Sequence, residues 1–475
     1  IEGFPIARDE DIIALSRPPY YTACPNPFIE DFVQQNGTPY DEATDTYHRE
    51  PFSADVSEGK GDSIYSGHNY HTKVPHKAIM RYILHYTKPG DIVFDGFGGT
   101  GMTGVAAQMC GCPDAAFRAQ IDSEMHEQGI EWGARKAIIG DLSPAASFIA
   151  HNYNTAVDGT EFKEEALRIL AAYEGKFGWM QQTQHVDTDG QPICGLDGQP
   201  IMGRINYTVW SDIFICPSCS KEFDFSEAAF DFETKAVKKT FLCPHCGSEL
   251  KKTDCKHAIV TEYDELLKET VTYARQIPVL ISYTVGKKKY EKRLDKHDWD
   301  VIARANALPL EYDVPILPFP KGDKTGEPIR LGLTYIHQLY TKRNLIALSY
   351  IMDQVKKSHM KTEMRFLYEQ IVFGMAKIAR YVPTHFSQVN QYLSGTLYIG
   401  SQVVEVTPRY IIENKINSQL LNIQLHMSTF FIVLIHLIWQ EEHAVALEEA
   451  LAQAVVEGMR VHGHGNAVHD MPGHH

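Results

Sequence analysis

The most constraining stretch of this chain is residues 91–103, which read DIVFDGFGGTGMT. A β-branched run ends on the carboxylate of Asp95, and a glycine-rich turn leads into the small residues 104–108, which predicts a strand, a tight turn and a helix N-terminus. This arrangement presents backbone N–H groups to a ligand. The glycines also fit G-x-G-x-x-G from Gly96 to Gly101, so a dinucleotide site is one interpretation and a plain structural turn is another. Asp95 favours a different ligand, because a carboxylate repels a pyrophosphate but attracts an amino group.

A second motif lies upstream of this turn. Residues 70–79 read YHTKVPHKAI, and residues 80–90 carry apolar residues at helical spacing before they end in K-P-G, a helix end. With the following strand they resemble the block K-x-P, helix, K-P-G-D-x-V-x-D-x-F-x-G-x-G-x-T of bacterial DNA adenine and N4-cytosine methyltransferases. In that family the K-P turn and the glycine loop close over opposite sides of S-adenosylmethionine. The resemblance implies that this cofactor is bound by Thr72, Lys73, Pro75, Asp95, Gly96, Phe97, Gly98, Gly99, Thr100 and Gly101.

Another acidic residue follows a second short apolar segment. Residues 136–140 read KAIIG, and Asp141 comes directly after them, ahead of a helix-like stretch. In a doubly wound sheet, an acid after the second strand reaches the ribose hydroxyls of the cofactor, whereas an Asp in front of a helix is a common N-cap. Both interpretations of Asp141 stay open. The spacing from the first loop exceeds the usual value of about 20 residues, which indicates an insertion over residues 110–135.

Four of the nine cysteines form two short motifs, C-P-S-C and C-P-H-C. Each motif offers two thiolates, and the polar segment between them has a length that is ordinary for a zinc ribbon. The pattern predicts one tetrahedral Zn²⁺ held by Cys216, Cys219, Cys243 and Cys246. Because sulfur fills all four positions, the site is expected to be structural rather than catalytic. The cysteines predicted to be buried thiols are Cys24, Cys110, Cys112 and Cys194.

The charge of the chain limits what can be inferred about its partners. Its formal net charge is -15 at pH 7, which does not favour nucleic-acid binding by the whole surface. Lysines nevertheless crowd residues 235–256 and 287–293, where they would either line a DNA cleft or form solvated faces. No signal-peptide pattern is present, and no apolar stretch reaches the length of about 20 residues that spans a bilayer. A cytoplasmic location is expected.

Three further segments make the resemblance more specific. Residues 20–28 (YYTACPNPF), 339–348 (LYTKRNLIAL) and 393–399 (LSGTLYI) resemble parts of bacterial adenine-specific DNA methylases that contain a zinc ribbon, in the order of that family. The resemblance extends from about residue 20 to residue 415. It implies an S-adenosylmethionine-dependent enzyme that methylates an exocyclic amine of double-stranded DNA, adenine N6 or cytosine N4, in restriction or phage defence. Other restriction or defence subunits are its expected further partners.

The resemblance implies an α/β fold with a Rossmann-like class I methyltransferase sheet, an inserted zinc ribbon and additional helical segments. The predicted segments are an N-terminal segment (1–69), the S-adenosylmethionine-binding half of the methyltransferase domain (70–155), an insertion (156–280) with the zinc ribbon at about 210–255, a mixed α/β and helical region with DNA contacts (281–419), and an atypical tail (420–475). Local patterns predict helices over 161–177, 335–356 and 361–379, a strand over 279–285, and a proline-rich loop over 299–332.

The catalytic motif of this family, [DNS]-P-P-[YF], is absent from the sequence. An exocyclic amine is a poor nucleophile because its lone pair is conjugated into the base. The Asp or Asn side chain and the proline carbonyl accept its hydrogens, and the aromatic residue stacks on the flipped base. R-P-P-Y at residues 17–20 begins with a guanidinium, which cannot accept a hydrogen bond, and N-P-F at residues 26–28 lacks one proline. Both are interpreted as local turns, and the catalytic residues stay unknown.

The chain stops resembling the family after residue 417. Residues 430–439 read FFIVLIHLIW and precede an Ala/Glu-rich stretch and a His/Gly tail. A coding string for residues 434–438 can read Asp-Pro-Pro-Tyr in a neighbouring frame. One hypothesis is therefore that the tail from about residue 420 is a frameshifted product, and the alternative is a genuine, divergent C-terminal helix.

Three functions stay open at this point. The first is a DNA amino-methyltransferase, and the second is an inactive remnant that binds the cofactor and zinc without methyl transfer. The third is a nicotinamide-dependent oxidoreductase that uses the G-x-G-x-x-G pattern. Asp95, Phe97 and the upstream K-V-P motif argue against the third function.

Overall fold

A computed structural model describes residues 34–37, 39, 41–68, 70, 72–231, 234, 236–320, 322, 325–382, 397 and 399–416. These residues form two compact units: one comprises the residues up to Lys163 together with Lys415 and Ile416, and the other comprises Glu164–Asn414. Both units contain helices and strands, which confirms the expected α/β class. Within the described part of the chain, no helix combines the length and the apolar content needed to cross a membrane.

The first unit is built on a β-α-β connection. Its elements are α1 (Ser63–Ser66), α2 (His76–Tyr86), β1 (Ile92–Asp95), α3 (Met102–Met109), α4 (Ala115–Glu124), β2 (Lys136–Ile139), α5 (Pro144–Asn154) and the start of α6 (Gly159–Phe177). Strands β1 and β2 pair in parallel, with Ile92 opposite Lys136 and Asp95 opposite Ile139. Parallel strands need a long crossover, and here α3 and α4 provide it.

An apolar cluster holds the helices and strands of the first unit together. Met80 and Leu84 on α2 lie four residues apart, so they share one face of that helix, and both are almost fully buried. They belong to the same cluster as Ala107 of α3 and Ile121 of α4. Burial of each large apolar side chain contributes about 1.5–3 kcal/mol to folding.

The expected Rossmann-like sheet is represented, among the described residues, by the β1–β2 pair alone. Phe94, in the middle of β1, is 72% exposed. Parallel strands are normally covered on both faces. A doubly wound arrangement of a larger sheet around this pair therefore stays a prediction.

The second unit contains an antiparallel sheet centred on a long strand. Its elements are, in chain order, β3 (Gln182–Gln184), β4 (Met202–Ile215), β5 (Glu222–Asp224), α7 (Phe225–Ala229), β6 (Phe230–Asp231), β7 (Ala236–Val237), β8 (Phe241–Leu242), β9 (Glu249–Leu250), β10 (Lys256–His257), β11 (Ile259–Asp264), β12 (Glu269–Ala274), β13 (Gln276–Val285), β14 (Lys288–Lys292), α8 (Lys296–Asn306), α9 (Gly326–Arg330), α10 (Lys342–Lys356), α11 (Lys361–Met375), β15 (Ala379–Arg380), β16 (Gln402–Val406) and α12 (Pro408–Lys415). The strand order is β14–β13–β4–β16–β15, and β3, β5 and β10 also pair with β4.

A buried ion pair fixes α10 against this sheet. The guanidinium of Arg343 donates to the carboxylate of Glu405 on β16 at 2.7 Å, and the indole N–H of Trp210 on β4 donates to the same carboxylate at 2.6 Å. Both charged side chains are almost fully buried. A buried charge requires such a complete set of partners, so loss of either residue would leave its partner uncompensated.

The prediction of a proline-rich loop over residues 299–332 was wrong in two places. Helix α8 begins at Lys296, and Asp295 and Asp298 cap its first turn by accepting each other's backbone N–H. Such a reciprocal cap stabilises a helix start, and in the sequence it corresponds to the D-x-x-D pattern of residues 295–298. The short helix α9 also lies in this range.

Candidate functional site

The glycine loop joins the carboxyl end of β1 to the first turn of α3. Gly98 donates its N–H to the carbonyl of Gly140, directly after β2, at 2.8 Å. A Cβ atom at Gly98 would lie 2.3 Å from Cγ2 of Ile139, so only glycine allows this close approach. Gly101 is the N-cap of α3 with a φ of 73°, in the left-handed region that favours glycine. The loop is therefore held against the end of β2.

Helix α5 supports the loop from another direction. The side-chain amide of Asn154 donates to the carbonyl of Gly101 at 3.0 Å and to the carbonyl of Ala150 at 2.8 Å. A Cβ atom at Gly101 would lie 2.6 Å from Nδ2 of Asn154. Sequence reasoning missed Asn154, because no local motif marks a residue on the last turn of a helix as a loop contact.

Asp95 stabilises the turn that follows it. Its Oδ1 accepts the backbone N–H of Phe97 at 3.1 Å, and its Oδ2 accepts the hydroxyl of Thr103 on α3 at 2.6 Å. The side chain is half-buried. Each carboxylate oxygen has two acceptor sites, so Asp95 can still accept from a ligand.

Asp141 contacts the same loop from the end of β2. Its Oδ2 accepts the N–H of Gly99 at 2.8 Å, and its Oδ1 accepts the N–H of Ser143 at 2.8 Å. The N-cap of α5 is Ser143, whose hydroxyl accepts the N–H of Ala146. The alternative in which Asp141 caps the helix was therefore wrong, and its ribose contact stays a prediction.

Three large apolar side chains near the carboxyl ends of these strands are exposed. Phe97 of the loop is 82% exposed, Phe94 of β1 is 72% exposed and Leu142 after β2 is 61% exposed. Their position near the strand ends makes these side chains candidates for contact with a ligand. Gly96 lies between the two phenylalanines and is half-buried.

Lys73 makes its contacts inside the protein. Its ammonium donates to the carbonyls of Tyr65 at 2.7 Å and His68 at 3.1 Å, and to the hydroxyl of Tyr153 on α5 at 2.7 Å. These bonds use all three of its hydrogens, which leaves none for a ligand. Burial lowers the pKa of Lys73 to about 7, and the nearby charge of Lys415 acts in the same direction. Lys73 would therefore influence a cofactor indirectly, by holding the segment of the K-V-P motif in position.

The remaining predicted loop residues occupy different environments. Thr72 is exposed, whereas Pro75, the N-cap of α2, and Thr100 are buried. A Cβ atom at Gly99 would lie 3.9 Å from Cε1 of Tyr70, so the segment before the K-V-P motif reaches the glycine loop. The fold brings the two sequence motifs together.

The four predicted metal ligands meet at one point in the second unit. One ligand atom from each residue lies within 4.8 Å of the others, and the four residues are Cys216, Cys219, Cys243 and Cys246. Four thiolates at this separation suit tetrahedral Zn²⁺. Phe214, Phe223 and Phe241 pack in the same apolar cluster as Cys216 and Cys243, so the centre lies on a small core of its own.

Two backbone turns of the same type present these cysteines. The N–H of Ser220 donates to the carbonyl of Cys216 at 2.9 Å, and the N–H of Gly247 donates to the carbonyl of Cys243 at 2.9 Å. Ser220 and Gly247 both have left-handed backbones, with φ of 61° and 72°. The sequence repeat of the two C-P-x-C motifs thus becomes a structural repeat.

Two other cysteine predictions were wrong. Cys110 is buried as expected, but Cys112 and Cys194 are exposed. Cys110 lies at the end of α3 in the apolar core, whereas Cys112 follows in the turn and Cys194 lies in an exposed turn region before β4. Cys24 lies outside the described residues.

The lysine-rich segments divide into exposed and buried groups. Lys287, Lys288 and Lys289 lie exposed at the turn from β13 to β14. Lys292 is buried, and its ammonium pairs with Asp298 at 2.9 Å and with Asp295 at 2.5 Å. Only the exposed lysines of this group are available to an anionic partner.

The two near matches to the catalytic motif, at residues 17–20 and 26–28, lie outside the described residues, as do residues 20–28, most of 393–399 and the whole of 420–475. The structure therefore assigns no residue to the transfer of a methyl group.

Comparison with known proteins gives one match. Residues 14–117 match the DNA methylase model of the N6 and N4 methyltransferases. No curated protein and no solved structure matches the chain at a significant level. The matched segment contains the K-V-P motif, β1, the glycine loop and α3, which are the features on which the resemblance was based. Residues 14–117 of the chain are therefore similar to the DNA methylases that modify adenine N6 or cytosine N4.

Proposed function

We propose that the chain is the cofactor-binding part of an S-adenosylmethionine-dependent DNA methyltransferase whose target is adenine N6, with cytosine N4 as the alternative. The family match supports DNA amino-methyltransferase activity in general. The observation that carries the proposal is the glycine loop, whose backbone is held by Asp95 on one side and Asp141 on the other, with Phe97 exposed next to Asp95.

The residues of the loop suit this cofactor. When bound, S-adenosylmethionine supplies an electrophilic methyl group. Asp95 would attract its cationic amino group, and Asp141 would accept its ribose hydroxyls. The exposed ring of Phe97 would cover an apolar or planar part of the ligand. A pyrophosphate would instead meet two carboxylates, which disfavours the nicotinamide-dependent alternative.

The cysteine cluster would hold a structural Zn²⁺. All four positions are filled by thiolates, which leaves no open position for a substrate. The ion would fix the two cysteine turns and the phenylalanine cluster that packs on them. Double-stranded DNA is the proposed substrate in the cytoplasm, in restriction or phage defence, with the exposed lysines of the β13–β14 turn as candidates for phosphate contacts.

A second candidate function is an inactive remnant that binds the cofactor and zinc. The absence of [DNS]-P-P-[YF] from the sequence favours it. Without that motif, no residue is assigned to localise the lone pair of the target amine.

The test is transfer of labelled methyl from S-adenosylmethionine to unmethylated bacterial DNA. Phe97→Ala is the site variant, because Phe97 is 82% exposed and its loss removes little packing. A substitution of Gly98 would place a side chain against Ile139. Such a variant is less informative than Phe97→Ala, since misfolding would also abolish methyl transfer. Tyr263→Ala is the matched control, because it removes an aromatic side chain of the second unit that is 67% exposed.

The methyltransferase proposal predicts label in DNA for the wild type and for Tyr263→Ala, and about tenfold less for Phe97→Ala, which corresponds to about 1.4 kcal/mol. No label with intact cofactor binding would support the remnant. A folded protein that neither transfers methyl groups nor binds the cofactor would overturn both candidates.

A further inference from the structure

Thr103 contacts the carboxylate that the proposed function assigns to the cofactor. It lies in the first turn of α3, two residues after the N-cap Gly101, and its hydroxyl donates to Oδ2 of Asp95 at 2.6 Å. A hydroxyl that donates to an ionised carboxylate typically lies about 2.5–2.7 Å from it. The distance therefore indicates a charge-assisted bond, which ties the end of β1 to the start of α3.

Thr103 also fixes the orientation of this carboxylate. The second donor to Asp95 is the backbone N–H of Phe97, which reaches Oδ1 at the longer distance of 3.1 Å. Each carboxylate oxygen thus receives one donor and keeps one acceptor position for a ligand. Without the Thr103 hydroxyl, only the longer bond from Phe97 would hold the carboxylate, and its plane would be free to rotate.

The charge of Asp95 is not neutralised within the part of the chain that the structure describes. Its two donors, a hydroxyl and a backbone N–H, are both uncharged. No lysine, arginine or histidine of the described residues forms an ion pair with this half-buried carboxylate. A carboxylate that is partly removed from water is stabilised by a positive partner. Its remaining acceptor positions therefore suit an ammonium group of a ligand.

We propose that Thr103 is a positioning residue that holds Asp95 so that the glycine loop selects a ligand with an ammonium group. The inference rests on the proposed function, in which this group belongs to the amino-acid end of S-adenosylmethionine. Thr103 acts through Asp95 and does not itself contact the ligand. Because Asp141 and the rest of the loop would contact the nucleoside, Thr103 should affect only ligands that carry the amino group.

The test compares two ligands by calorimetric titration of the full chain. S-Adenosylhomocysteine carries the amino group, whereas 5′-methylthioadenosine has the same nucleoside and sulfur but lacks the amino acid. Neither has a sulfonium charge, so attraction of Asp95 to the sulfur does not contribute. Thr103→Val replaces the hydroxyl by a methyl group of similar size. It should weaken binding of S-adenosylhomocysteine at least about tenfold and leave binding of 5′-methylthioadenosine unchanged.

Two further variants separate positioning from a merely structural role. Thr103→Ser keeps the hydroxyl and should bind S-adenosylhomocysteine as the wild type does. Thr87→Val is the matched control, because the half-buried Thr87 also uses its hydroxyl, which donates to the carbonyl of Ile83 and accepts from Arg135. Arg135 directly precedes β2, at the end of the strand opposite to the glycine loop. Thr87→Val should therefore bind both ligands with wild-type affinity.

A double-mutant cycle tests whether Thr103 acts through Asp95. In an Asp95→Ala background, Thr103→Val should cause no further loss of affinity for S-adenosylhomocysteine, because the carboxylate that Thr103 positions is gone. A further loss in this background would overturn the proposal. Equal losses for both ligands in Thr103→Val would also overturn it, as would a failure of Thr103→Ser to restore binding.

Failure of this proposal and failure of the proposed function give different results. Binding of S-adenosylhomocysteine that is the same in the wild type and in Thr103→Val would overturn the role of Thr103 and leave the proposed function intact. A folded wild-type chain that binds neither ligand would overturn both.

Discussion

The N–H of Gly99 donates to the carboxylate of Asp141 at 2.8 Å, across 42 residues of sequence. This bond joins the loop after β1 to the second residue of the loop after β2. The second oxygen of Asp141 accepts the N–H of Ser143, which precedes α5. A single carboxylate thus fixes both loops at the carboxyl ends of the parallel strands, where ligands bind in open α/β sheets.

Replacement of Asp141 should therefore reduce both stability and cofactor affinity. Asp141→Ala leaves the Gly99 and Ser143 N–H groups without their acceptor, which should lower the free energy of unfolding by about 1–3 kcal/mol. Asp141→Asn keeps one acceptor oxygen and should cost less. Urea unfolding and calorimetric titration with S-adenosylmethionine measure the two effects. Wild-type stability in Asp141→Ala would contradict the assigned role.

Lys73 should make the stability of the chain depend on pH. Its folded pKa of about 7 lies below the ordinary value of 10.5, so between these values the unfolded chain binds more protons. The free energy of unfolding should then rise with pH across this window, by at most about 1.4 kcal/mol per pH unit from this group. Below pH 7 both states are protonated and this contribution is flat.

The Lys73→Met variant should lose that slope, as measured by urea unfolding at a series of pH values. Burial also lowers the pKa of Lys415, to about 8, so the cleanest comparison lies between pH 7 and pH 8. Lys88→Met, at an exposed lysine, should keep the wild-type slope. If the free energy of unfolding had the same pH dependence in Lys73→Met and the wild type, the lowered pKa of Lys73 would be contradicted.

Ser220 and Gly247 occupy equivalent positions in the two cysteine turns, and both adopt a left-handed backbone. Because this conformation is favourable for glycine and unfavourable for residues with a Cβ atom, Ser220 is the strained member of the pair. Ser220→Gly should raise the free energy of unfolding of the zinc-loaded protein by about 0.5–1 kcal/mol. Gly247→Ser, the reverse change in the other turn, should lower it by a similar amount. A stability loss in Ser220→Gly, at unchanged metal content, would contradict the equivalence of the two turns.

The cysteine cluster should bind one zinc ion per chain. Cys243→Ser removes a buried ligand and should abolish stoichiometric zinc, measured by mass spectrometry of the metal, and expose residues 210–255 to proteolysis. Cys112→Ser, at an exposed cysteine outside the cluster, is the control and should retain the metal. Zinc retained at wild-type content by Cys243→Ser would place the metal elsewhere.

Local patterns were sufficient to predict the core of the candidate site. The strand, glycine turn and helix around Gly98 follow from neighbouring residues, and the four cysteines follow from two repeated motifs. Tyr153 and Asn154 were missed, although they anchor Lys73 and Gly101. Their contacts depend on how α5 packs in the folded unit, and the spacing of residues in the sequence does not predict that packing.

The antiparallel sheet of the second unit was not predicted as a whole. The strand predicted over 279–285 lies within β13, but its partners are distant in sequence. Val404 of β16, for example, pairs with Val209 of β4. Pairing over such separations is decided by burial and register in three dimensions rather than by local propensity.

Equilibrium binding of S-adenosylmethionine to the full chain is the decisive measurement for the glycine loop. We expect binding that NADH does not displace, that weakens at least about tenfold in Phe97→Ala and that is unchanged in Tyr263→Ala. A folded protein that does not bind S-adenosylmethionine, or that binds NADH with the same dependence on Phe97, would contradict it.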